Sequence, residues 1–235
     1  MASLCTVWLA NLGDWREVIA ALEPLLDPTE HERAGRFRFE DDRARYVIGR
    51  VLLRLGVQRY APEFTAPLQL RYSGLGRPLL PPEAGLDFSI SHTRDWVAIA
   101  FAQGARIGVD LEYTGTQVDV AELAERIFSD DDLSAFTALP AADRSAAFFR
   151  AWTRKEAYLK AIGEGIATGL KDVAAPFDDA TVTMLMDRRD LEGSPAWRLH
   201  RLDAGPEYAG CVACDDPERT VQVLAAAWRD GGLQL

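Results

Sequence analysis

Short blocks of alternating or three-and-four-spaced apolar residues run along the whole chain, with turn residues between them. Residues 3–10 predict an opening strand, and residues 14–26 a short helical stretch closed by Pro24 and Pro28. Asp27-Pro28-Thr29-Glu30 predicts a helix start, with Asp27 as N-cap, Pro28 in the first turn and Glu30 completing a capping box. A longer helix opens at Asp41 or Asp42, carries Tyr46, Val47, Val51, Leu52 and Leu55, and stops at Pro62. Strands follow at 68–72, 86–90 and 96–102, with turn chemistry at 73–78 and again at Ser91-His92-Thr93. Residues 106–112 read as a strand emerging from the core, and 118–127 and 129–139 as two short helices, the second capped by Ser129. Residues 148–165 are helix-forming and proline-free, and Gly163 is placed to end them. There Trp152, Glu156 and Lys160 stack in one column beside an apolar stripe of Phe148, Ala151, Leu159 and Ile162. After a glycine-rich exit, residues 181–186, 196–202, 208–213 and 220–227 alternate like strands.

Size and charge narrow the classes. With 235 residues, 48% of them hydrophobic, the chain can bury a real core as one large domain or two packed halves. No apolar run reaches the roughly 20 residues needed to span a bilayer, and the start lacks a signal peptide's basic region and cleavage site. A cytoplasmic, monomeric protein without membrane contact is expected. Three cysteines cannot all pair with one another, which fits a reducing compartment, and the lone Cys211-x-x-Cys214 lies inside a strand pattern. A net charge of -10 argues against nucleic-acid binding. Three histidines argue against a multi-histidine zinc site, and no G-x-S-x-G elbow is present for a serine hydrolase.

The candidate chemistry is oxygen and cation chemistry. Asp110 and Glu112, two apart on a strand, share a face and repel unless a cation lies between them; an all-oxygen pair suits Mg²⁺ or Mn²⁺. Gly108 beside them admits close approach of another backbone. Trp152, Tyr158, Phe148 and Phe149 hold Glu156 and Lys160 near the core boundary, where a carboxylate wants a cation and a lysine an anion. His92 lies where one strand ends and the next has not begun. Arginine is over-used between Arg33 and Arg59; most of it is expected on solvated faces or paired with Glu40, Asp41 and Asp42, but one or two facing a pocket would hold a phosphorylated ligand. Singly, each feature has an ordinary reading: a solvated strand end, an exposed helix pair, a histidine capping a turn.

Together, Gly76-Arg77-Pro78, Phe88-Ser89-Ile90-Ser91-His92, Ile107-Gly108-Val109-Asp110-Leu111-Glu112, and Trp152 to Lys160 with Gly163 and Gly165 resemble the 4'-phosphopantetheinyl transferases. The likeness is to the larger two-lobed type that modifies carrier proteins of peptide, polyketide and fatty-acid synthesis, and runs from about Arg33 to Gly169. It implies an α+β fold of two similar lobes related by a pseudo-twofold, residues 1–104 and 105–235, each a small antiparallel sheet packed with helices, with coenzyme A in the cleft between them. It implies Mg²⁺ on Asp110, Glu112 and Glu156. It places His92 and Lys160, with Ser91 and Lys155 beside them in the matching motifs, at the phosphates of coenzyme A, Arg33 and Arg45 at the 3'-phosphate, and Gly76, Arg77 and Pro78 by the adenine. His92, Glu156 and Lys160 are the candidate catalytic groups: Glu156 as acceptor of the serine proton or as metal ligand, Lys160 as partner of the leaving 3',5'-ADP. Two departures stand out, Arg77 where many members have lysine, and Glu30 near a position that is basic in some, with Arg36 as substitute. The carrier's helix is expected near residues 128–136. The rival readings are a Mg²⁺-dependent nucleotide phosphohydrolase and a non-catalytic module binding carrier proteins or coenzyme A.

Overall fold

A computed structural model describes residues 5–65, 68, 70–164, 169–189, 197–216 and 218–235. Parts of four expected segments, including Gly165 of the long helix's exit, lie outside those residues. In chain order the elements are β1 (Cys5–Asn11), α1 (Ile19–Leu22), α2 (Pro28–Gly35), α3 (Glu40–Tyr60), β2 (Arg71–Tyr72), β3 (Pro78–Leu79), β4 (Leu86–Thr93), β5 (Trp96–Gln103) and β6 (Ile107–Tyr113). Then come α4 (Val120–Ile127), α5 (Asp130–Thr137), α6 (Ala141–Ile162), β7 (Val173–Ala174), β8 (Val182–Met184), β9 (Met186–Asp187), β10 (Arg198–Arg201), β11 (Tyr208–Cys214), β12 (Gln222–Arg229) and β13 (Gly232–Gln234). The fold is α+β, with mostly antiparallel sheets and helices.

Two sheets form the body, in strand orders β13-β12-β1-β5-β4 and β6-β11-β10-β8. Alternation along β1 sorts its side chains: Trp8 and Ala10 join the core that α3 covers, while Val7 and Leu9 meet Val109, Leu111 and Val212 between the sheets. A further core of Ala157, Leu159, Leu199, Cys211 and Ala213 joins α6 to the outer face of the second sheet. Cys211 and Cys214 are buried strand residues, as expected.

Three expectations are corrected. The chain's C-terminal β12 pairs in parallel with β1, so the last strands complete the first sheet and a division at residue 104 would cut that pairing. The stretch 14–26 supplies only the single-turn α1 flanked by 3-10 turns, one of which places Pro24 in its first turn. Ser91, His92 and Thr93 lie within β4; the turn is Arg94-Asp95, with Arg94 at φ 44°. The polar residues that read as a turn have another use. Asp87, Ser89, Ser91 and Thr93 lie on one face of β4 and accept the backbone N–H of Ile107, Val109, Leu111 and Tyr113 on β6, at 2.9, 3.1, 3.3 and 3.3 Å. Side chains here do for the edges of two sheets what a ladder of main-chain bonds does within one.

Candidate active site

β6 brings its acids under α6 because Gly108 lets the two backbones touch. A Cβ on Gly108 would fall 1.9 Å from the carbonyl oxygen of Ala157. Helix and strand run in opposite directions, and every fourth helix residue advances about 6 Å while every second strand residue advances about 6.7 Å. Trp152 and Glu156 therefore keep pace with Glu112 and Asp110, and Lys160, one step further on, reaches back to Asp110. At one end Trp152 Nε1 donates to Glu112 Oε1 at 3.4 Å; at the other Lys160 Nζ meets Asp110 Oδ1 at 2.6 Å. Glu156 sits between them, 4% exposed.

The electrostatics follow from this crowding. Burial pushes the Glu156 carboxyl up to about 7, Asp110 and Glu112 add to the rise, and Lys160 opposes it. Glu112 is raised by burial and by Asp110, against the pull of Trp152 and Lys160. His92 keeps contact with solvent, yet the protein around it, then Arg45 and Lys160, hold its pKa below the ordinary value. Lys160 also donates to Ser91 Oγ at 3.1 Å and to the Val109 carbonyl at 3.3 Å.

Among the described residues no three His, Cys, Asp or Glu side chains are already gathered as a metal shell. Asp110 Oδ1 is occupied by Lys160 and Ser91, and Glu112 leans to Trp152. Two oxygens nevertheless lack any hydrogen-bond partner while buried, Asp110 Oδ2 and Glu156 Oε1. Buried carboxylate oxygens left bare in this way are costly without a cation, and their hardness matches Mg²⁺. The residues present fit that ion.

The remaining sequence candidates divide. A cavity of about 260 Å³ beside β4 is lined by Gly76, Arg77, Pro78, Ile90, Lys160 and Gly163, which brings the turn after β2 against the end of α6. Arg77 is a strut as well as a wall: it donates to the Ala161 carbonyl at 2.9 Å and to both oxygens of Asp87. Arg33 lines a separate hollow with Arg36, Phe37, Tyr46 and Tyr72, its guanidinium 5.3 Å from the Tyr46 ring. Arg45 lines another, and is held by Asp42 and the Arg94 carbonyl. Glu30 faces inward as the partner of Arg54 at 2.5 Å and Arg50 at 3.6 Å, besides closing the expected capping box.

Two placements are corrected. Lys155 does not reach the cleft: it is fully buried, and its amine donates to the carbonyls of Ile127, Leu170 and Val173 on the far side of α6. Adjacent helix residues point about 100° apart, so Lys155 and Glu156 cannot serve the same face. Phe128 and Phe136 are each 1% exposed and pack on Phe148, so residues 128–136 do not offer those rings to a partner. Sequence reasoning missed the roles of Trp152 Nε1 toward Glu112 and of the β4 side chains toward β6; the signal for the second was the same-face series Asp87, Ser89, Ser91, Thr93.

The family model for the 4'-phosphopantetheinyl transferase superfamily matches residues 106–213, and one for the N-terminal part of 4'-phosphopantetheinyl transferases matches residues 7–104. The 4'-phosphopantetheinyl transferase HetI of Nostoc is 32% identical over 88% of this chain and 86% of its own length. This chain belongs to the 4'-phosphopantetheinyl transferase family. Other relatives of the transferase are psf-1 of Bacillus pumilus, 30% identical over 89% of this chain and 88% of its own, and Sfp of Bacillus subtilis, 28% identical over 84% and 87%. The likeness is to the Sfp-like type, and each lobe motif of the transferase falls inside a matched region.

Proposed function

We propose that this transferase moves the 4'-phosphopantetheine arm of coenzyme A onto a serine of an acyl or peptidyl carrier protein, with Mg²⁺ at Asp110, Glu112 and Glu156, and releases 3',5'-ADP. The observation that carries the metal assignment is the pair of bare, buried carboxylate oxygens, Asp110 Oδ2 and Glu156 Oε1, next to Lys160. Bound there, Mg²⁺ supplies positive charge to the diphosphate. In the reaction the serine oxygen bonds to the phosphorus that carries pantetheine, the bond from that phosphorus to the bridging oxygen breaks, and the electron pair leaves with 3',5'-ADP. Burial raises Glu156 to about 7 while no cation is bound, and Mg²⁺ would lower it, so Glu156 would accept the serine proton through an oxygen that the ion leaves free. Lys160 offsets charge on the departing phosphate, and His92, its pKa lowered, offers a neutral N–H to a phosphate oxygen. The cavity at Gly76, Arg77 and Pro78 suits the adenine end, and Arg33 with Arg36 the 3'-phosphate. A monomer in the cytoplasm completes the reading; among the described residues no helix is long and apolar enough to cross a membrane.

The test is a mass spectrum of several apo carrier domains after incubation with coenzyme A and Mg²⁺. Wild type adds one phosphopantetheine to the carrier; Asp110→Ala and Glu156→Gln add none while keeping the wild-type circular dichroism. Full mass gain with both variants overturns the metal assignment. Coenzyme A cleavage without a carrier identifies a phosphohydrolase instead.

A further inference from the structure

Of the four β4 side chains that close the seam to β6, two also bond elsewhere: Asp87 to Arg77, and Ser91 to Asp110 and Lys160. Ser89 and Thr93 each accept a single N–H, from Val109 and Tyr113. Ser91 Oγ accepts the Leu111 N–H at 3.3 Å and Lys160 Nζ at 3.1 Å, and donates to Asp110 Oδ1 at 3.0 Å. A hydroxyl has one proton and two lone pairs, so these three bonds use its whole capacity. It is 7% exposed and comes from the first sheet, whereas Asp110 and Lys160 belong to the other side of the seam. Both partners of Asp110 take the same oxygen, Oδ1, which fixes the carboxylate plane and leaves Oδ2 bare and buried.

We propose that Ser91 is a positioning residue of the transferase: it locks Asp110 and Lys160 together across the two sheets so that Asp110 Oδ2 is presented for the divalent cation. The assignment rests on the reading given under Proposed function.

The experiment compares wild type with Ser91→Ala, Ser91→Thr and Thr93→Val. Thr93→Val removes one seam hydrogen bond of the same kind two residues further on, without touching Asp110 or Lys160. Three readouts are taken: turnover with an apo carrier, coenzyme A affinity by calorimetry, and the Mg²⁺ concentration that half-saturates the rise in Tm. Losing a hydrogen bond to a charged group corresponds to about a 10- to 100-fold change. Ser91→Ala is therefore expected to lower kcat and raise the Mg²⁺ midpoint by about that factor, with coenzyme A affinity within about threefold of wild type. Ser91→Thr keeps the hydroxyl and most of the turnover, and Thr93→Val leaves the Mg²⁺ midpoint and kcat within about threefold. If Ser91→Ala does not fold, Ser91→Cys, which fills the space with a weaker donor, carries the same comparison. The proposal is overturned if Ser91→Ala behaves like Thr93→Val, or if coenzyme A affinity falls while kcat is kept. Should wild type transfer nothing, the functional reading fails, and the Mg²⁺ midpoints still decide the role of Ser91.

Discussion

Glu156→Gln removes a carboxyl that is 4% exposed and whose pKa is pushed from its ordinary 4.5 to about 7. Burial is the first cause, the charges of Asp110 and Glu112 add to it, and Lys160 opposes. A carboxyl whose pKa is higher folded than unfolded holds more protons in the folded state. Its contribution to stability is then full below the unfolded pKa and is lost as pH rises through the folded one. At about 1.4 kcal/mol per pH unit the interval is worth about 3 kcal/mol, or roughly 6–12 °C in Tm for a domain of this size. Chelator-treated wild type is thus expected to lose Tm between pH 5 and pH 8, and Glu156→Gln to lose less by about 3 kcal/mol. Glu112, raised for related reasons, leaves some slope in both proteins. Scanning calorimetry in buffers of equal ionic strength measures the difference. Mg²⁺ added at pH 8 raises the Tm of wild type more than that of the variant, because a cation compensates the charge that burial disfavours. Parallel Tm-against-pH curves for the two proteins refute the reasoning: Glu156 would then titrate as an ordinary exposed carboxyl.

Lys160→Ala leaves Asp110 Oδ1 to Ser91 alone and removes the amine from the cleft, so turnover is expected to fall more than coenzyme A affinity. Steady-state rates set against calorimetric affinities measure this, and a loss confined to affinity reassigns Lys160 to binding. Lys155→Met keeps the bulk but abandons the carbonyls of Ile127, Leu170 and Val173, at a cost of about 3 kcal/mol or more in stability. Coenzyme A affinity of the folded variant stays within about threefold; a loss of affinity at unchanged Tm would return Lys155 to the coenzyme site.

Much of the site was readable one element at a time. The capping box at Asp27, the Ser129 cap, the helix ended by Gly163 and the same-face pair Asp110 and Glu112 depend on bonds within a few residues of one another. Their local spacing is enough to specify them. Gly108 was also legible as a place of close approach, although what approaches it, Ala157 on α6, was not. The reading of Ser91-His92-Thr93 as a turn failed for an informative reason. Turn residues and seam residues are chemically alike, since both use short hydroxyls to bond backbone, and only the partner's position tells them apart.

The chain's own order of residues determined the helix column of Trp152, Glu156 and Lys160, the two acids on one strand face, and the family to which these belong. Tertiary structure alone decided that β12 returns beside β1, that Lys155 turns away from the cleft, and that Ser91 spans the sheets to hold Asp110 with Lys160. The physical reason is range. Periodicity and caps are fixed by neighbours a turn apart, whereas which buried oxygen keeps a partner and which is left bare depends on side chains brought together from distant parts of the chain.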